Sequence, residues 1–83
     1  MKLKLQKQKT YDYTNRVNGQ DYVFEPGESL NISYMTGHGK GIKPGDFIIL
    51  ELDSNISHYQ VEHIDYYLDP PDMWMASLRK INP

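Results

Sequence analysis

His38, His58 and His63 are the only imidazoles in the chain, and there is no cysteine. His58 and His63 stand five apart. If a strand changes phase between them, both rings reach one face, but no third nitrogen or sulfur ligand has the spacing that a zinc site requires. The sequence therefore implies no metal and no cofactor. Asp69 and Asp72 form a carboxylate pair across Pro70-Pro71. Paired carboxylates do hydrolytic work only when a pocket drives their pKa values apart, and without one they cap their own turn. The run from Thr36 to Ile42 sets Gly37, Gly39 and Gly41 around Lys40. A phosphate-cradling loop needs G-x-x-x-x-G-K-[ST] between a strand and a helix, and this run has neither that spacing nor a following helix. It is a connector at which Gly39 and Gly41 admit a partner's backbone, with Lys40 as a point charge. Serine-nucleophile motifs and dinucleotide fingerprints are absent, so no enzymatic activity is expected.

Chemistry of another kind, recognition, is concentrated in Asp69-Pro70-Pro71-Asp72-Met73-Trp74-Met75. Two prolines restrict the backbone before binding, and methionine offers large, adaptable apolar area. Strand alternation puts Trp74 into a core and turns Met73 and Met75 outward, so Met73, Met75, Asp69 and Asp72 are candidate partner contacts. The charge layout supplies others. The formal net charge is −2. Within residues 1–16, Lys2, Lys4, Lys7, Lys9 and Arg16 stand against Asp12 alone, which gives +4 and leaves −6 for the remainder. From Pro44 through Leu78 there are seven acids and no Lys or Arg. A basic arm bearing Lys2, Lys4, Lys7 and Lys9 beside an acidic body favours head-to-tail association.

The elements that must hold these residues are strands. At 83 residues the chain makes one small domain with a limited core. Residues 1–13 alternate with period two, Leu3, Leu5, Lys7, Lys9, Tyr11 and Tyr13 on one face, which predicts an extended basic arm or edge strand ahead of a domain at 14–83. Asn18-Gly19 predicts a hairpin turn leading into Tyr22-Val23-Phe24. Pro26-Gly27 and Pro44-Gly45 predict two type II turns, the first leading to a strand with Leu30, Ile32 and Tyr34 inward. Phe47-Ile48-Ile49-Leu50 is apolar on both faces and reads as a central strand. A turn follows at Asp53-Ser54-Asn55. Next, Tyr59 and Val61 are odd while Ile64, Tyr66 and Leu68 are even, which predicts a β-bulge at Glu62-His63 and a common inward face. Trp74, Ala76 and Leu78 define the last strand. The fold expected is all-β, a barrel or sandwich of five or six strands with an extended N-terminal arm.

The run Gly41-Ile42-Lys43-Pro44-Gly45-Asp46-Phe47-Ile48-Ile49-Leu50, followed by Tyr59-Gln60-Val61 and Ile64, resembles the "GD, apolar strand, then Y-x-V-x-x-I" pattern of small β-barrels, including PUA-like and SH3-like domains. Minibarrels with a charged terminal arm are similar to phage head-decoration and head–tail joining proteins. The resemblance covers roughly residues 41–68 and carries over no catalytic residue.

The function expected is non-enzymatic assembly: binding of other protein subunits in a homo- or hetero-oligomer, as in virion decoration or joining. The alternative is a single-domain nucleic-acid-binding or small regulatory module, with tyrosines as stacking platforms and the lysines on phosphates. Acids around Tyr59, Tyr66 and Tyr67 oppose it. No run approaches the length of a membrane span, and the start is charged rather than apolar. The expected location is the cytoplasm, or a virion or other protein shell, and the Asn31 and Asn55 sequons are read as chance.

Overall fold

The computed structural model describes residues 7–29 and 31–81. Six strands form: β1 (Thr10–Asp12), β2 (Val23–Pro26), β3 (Ile32–His38), β4 (Phe47–Leu52), β5 (Asn55–Tyr66) and β6 (Met73–Ile81). They make one sheet in the order β1-β4-β5-β6-β3-β2. It is mixed because β1 lies parallel to β4 while every other pairing is antiparallel. The all-β class is as expected. The sheet is not closed, since β1 and β2 end the order and no ladder joins them among the described residues.

The sheet nevertheless rolls up around its core. In a flat sheet β2 and β5 would stand about 14 Å apart, three strand spacings. Yet Phe24 of β2 and Tyr59 of β5 meet edge to face with ring centroids 5.3 Å apart. The bend has a local cause in β5, whose register against β6 slips between Val61 and His63, so that Glu62 is the extra residue of a bulge where the phase change predicts one. Inside lie Met35, Ile42, Ile48, Leu50, Val61, Trp74 and Leu78, all essentially without solvent contact. The connection from β1 to β2 crosses from one sheet edge to the other. Its ends bury Tyr13 and Tyr22, whose rings stack at 6.4 Å, and Tyr13 meets Trp74 edge-on at 6.5 Å.

Buried Asp46 determines where β1 docks. Its Oδ1 accepts the Lys9 N–H at 3.0 Å and its Oδ2 the Lys43 N–H at 2.9 Å, while the Lys9 carbonyl accepts the Phe47 N–H at 2.8 Å. One of the seven acids of the Pro44–Leu78 run is therefore structural. The Tyr13 N–H then continues the ladder to the Ile49 carbonyl at 2.9 Å. Residues 10–13 are built into the sheet edge, and Leu3 and Leu5 of the expected arm lie outside the described residues.

Several expectations are corrected. Asn18-Gly19 does not join a hairpin: the strands on either side of it take opposite edges of the sheet, and the turn closes only a tight loop in which the Gly19 N–H meets the Tyr22 carbonyl at 2.6 Å. Gly45 has the positive φ of a type II turn, 94°, but Gly27 does not. Pro26-Gly27 instead begins the β2–β3 hairpin loop, the Gly27 N–H donating to the Ile32 carbonyl at 2.8 Å. In β3 the inward phase is Met35 and Gly37, and Tyr34 is outward; Leu30 lies outside the described residues. Phe47–Leu52 is flanked by strands on both edges, but only Ile48 and Leu50 are fully buried, Phe47 and Ile49 being half-covered on the outer face. Leu68, expected inward, is 99% exposed because β5 has already ended at Tyr66.

Candidate protein-contact face

Alternation decides which side chains leave the core. With Trp74, Ala76 and Leu78 inward on β6 and Met35 and Gly37 inward on β3, the outer face is made by the residues between them. Register then sets them side by side. One rung reads Asp65, Met75, Thr36, Val23 across β5, β6, β3 and β2, and the next reads His63, Ser77, Tyr34, Glu25. Directly opposite residues on one face have Cβ atoms about 5 Å apart. Met75, Val23 and Tyr34 are 48%, 47% and 43% exposed on this face: Thr36 stands between Val23 and Met75, Tyr34 is diagonal to both with its ring beside Gly27, and Asp65, His63 and Glu25 share the two rungs. Met75 was legible in the sequence, but Val23 and Tyr34 were not.

At the end of this face, two loops pack against each other. Met73, half-buried, pairs with His38. The Gly39 N–H donates to the Asp72 carbonyl at 2.9 Å, the Tyr67 N–H to the Met73 carbonyl at 2.8 Å, and the Met73 N–H to the Pro70 carbonyl at 3.2 Å. The glycine loop is clasped rather than loose. The Tyr13 hydroxyl donates to the His38 carbonyl, Tyr11 to Gly41 at 3.1 Å and Tyr66 to Ile42 at 2.9 Å. Burial raises the phenol pKa of both Tyr13 and Tyr66. For Tyr13 the Arg16 guanidinium, 4.6 Å over its ring, opposes that rise; for Tyr66 the hydrogen bond to the Ile42 backbone does so.

The fold thus gathers Lys40, Asp69, Asp72 and Met73 at one end, with Met75 on the adjoining face. Exposed Lys7 and Lys9 lie ahead of β1, at the opposite edge of the sheet from β2, and Lys2 and Lys4 fall outside the described residues. His58 and His63 both point outward from the bulged strand, and among the described residues no three His, Cys, Asp or Glu side chains group as metal ligands. A second outer-face concavity of about 850 Å³ surrounds Phe47, Ile56 and Ile81. No described helix is long and apolar enough to cross a membrane.

These features describe a small single-sheet β protein with exposed apolar side chains on its outer face. Comparison with known proteins returns no match, whether to a family model, a curated protein or a solved structure.

Proposed function

We propose that the chain is a non-enzymatic assembly module that binds other protein subunits through the outer face around Met75. The observation that carries this is the Val23, Tyr34 and Met75 patch. Three exposed apolar side chains on two adjoining rungs of one face, with carboxylates and an imidazole beside them, support a contact surface. Lys40, Asp69, Asp72 and Met73 at the adjoining end extend it. In this reading the rolled sheet is a barrel left open between β1 and β2. Decoration or joining of a larger shell such as a virion, the role implied by the resemblance over residues 41–68, is one form of such assembly.

Nucleic-acid binding is the weaker reading. Of the seven tyrosines, Tyr13, Tyr22 and Tyr59 are buried, and Tyr11 and Tyr66 have their hydroxyls committed to loop carbonyls. Few platforms remain for bases. The test is Met75→Glu, with melting to confirm the fold and sedimentation velocity to follow association. An association weakened about tenfold or more at unchanged melting temperature supports the contact face. Unchanged association removes it.

A further inference from the structure

Where the sheet fails to close there is a cleft of about 660 Å³, walled by Phe24 and Pro26 of β2 on one side and by Glu51, Leu52, Asp53 and Ser54 of the β4–β5 hairpin on the other. Val17 and Arg16 form its third wall. Its apolar lining comes from Val17, Phe24, Pro26 and Leu52. Its charged lining is Glu51 and Asp53 against Arg16. Arg16 itself is held over the Tyr13 ring.

The backbone of β2 is prepared on this side in one respect only. The Phe24 N–H points off the sheet and is taken by Asn18 Oδ1 at 3.0 Å, and Pro26 has no N–H to offer. In an antiparallel strand a residue's carbonyl points the same way as its N–H, so the edge presents acceptors without donors. A segment that fits must bring N–H groups, apolar side chains on one face and cations on the other.

We infer that this cleft receives residues 2–6 of a second copy of the chain. Lys2-Leu3-Lys4-Leu5-Gln6 has that pattern, with Leu3 and Leu5 on one face and Lys2 and Lys4 on the other. Leu3 and Leu5 meet Phe24 and Leu52, and the lysines meet Glu51 and Asp53. The chain's own segment cannot do this. Gln8 sits against Gly45, beyond the Phe47 end of β4, while Leu52 closes the other end. The span from Gly45 to Leu52 is about 23 Å along the strand. From Gln8, Leu5 is three residues away and Leu3 five, so fully extended they reach only about 10 Å and about 17 Å and would first have to reverse direction. Arm and cleft are different surfaces, so association is head-to-tail.

The inference rests on the assembly reading and is tested apart from it by charge exchange in the full chain. Lys2→Glu with Lys4→Glu, and separately Glu51→Lys with Asp53→Asn, should each weaken self-association about tenfold or more in sedimentation velocity, and mixing the two variants should restore it. If the cleft variant fails to fold in melting curves, Leu3→Ser with Leu5→Ser and competition by a synthetic peptide of residues 1–9 against the wild-type chain give the same decision. A wild-type chain that stays monomeric, single variants that associate normally, no recovery on mixing, or a peptide without effect overturns the inference. If Met75→Glu alone impairs association while the charge variants behave as wild type, the contact face stands and the arm does not. The converse leaves the arm and removes the face.

Discussion

Gly37 and Trp74 are register partners across β3 and β6, and the indole occupies the space that any larger residue at 37 would need. A Cβ at 37 would come 3.0 Å from two ring carbons of Trp74. Both residues are buried, so the ring has nowhere to retreat. Gly37→Ala should therefore destabilise by about 1–3 kcal/mol despite the entropy that alanine saves in the unfolded chain. Trp74→Ala should cost about 3–5 kcal/mol. In the Trp74→Ala background the clash is gone, and Gly37→Ala should become neutral or mildly stabilising. Denaturant melts of the four chains give the coupling directly.

The β4–β5 hairpin turns on Asp53 and Ser54, both at positive φ, 52° and 68°. A two-residue turn of this hand favours Asn-Gly or Asp-Gly because side chains crowd the left-handed region. Ser54→Gly should raise stability by about 1 kcal/mol. An unchanged or lowered denaturation midpoint would show that the serine hydroxyl compensates the strain.

Leu50 and Ile49 are neighbours on opposite faces of β4. Leu50 has no exposed surface, whereas Ile49 is half-covered. Leu50→Ala should cost about 2–5 kcal/mol and Ile49→Ala clearly less. Equal losses in melts of the two variants would mean that the outer face of β4 is covered as fully as the inner.

Alkaline pH should unfold this chain early. Burial raises the pKa of Tyr13, Tyr22, Tyr59 and Tyr66 above the ordinary value. A free tyrosine titrates near 10, so above that pH the unfolded chain gives up phenol protons that the folded one retains. The unfolded state then binds fewer protons, and stability falls as pH rises through the folded values. Melting temperature against pH, with phenolate absorbance recorded alongside, checks this. Tyr13→Phe should flatten the alkaline limb, and an unaltered limb would remove Tyr13 from the account.

What the sequence discloses depends on how many residues vote for each phase. Trp74, Ala76 and Leu78 agree, and the last strand is read correctly with Met75 outward. The slip from Val61 to Ile64 is an alternation error that only an inserted residue repairs, so the bulge is legible. In β3 the inward phase is carried by Met35 and by Gly37, which has no side chain to announce it, and the apolar Ile32 and Tyr34 point to the wrong face. That error hid Tyr34 from the contact surface. Asn18-Gly19 has strong local turn chemistry, but the preceding strand is claimed by β4 far along the chain. The tyrosine clasp is invisible for a related reason: its acceptors are backbone carbonyls 24 to 30 residues away.

The docking of β1 on Asp46 bears on the order of events during synthesis. During synthesis β1 has no ladder partner until residues 46–49 follow it, because the Lys9 N–H closes on a carboxylate 37 residues downstream. β4, β5 and β6 by contrast meet their neighbours through short connections and can assemble as each emerges. Lys7 and Lys9, exposed just ahead of β1, put two positive charges beside a segment that waits for its partner, and charged flanks disfavour pairing with another chain. The two lysines ahead of the strand thus weigh against pairing with other copies in the period before Asp46 captures it.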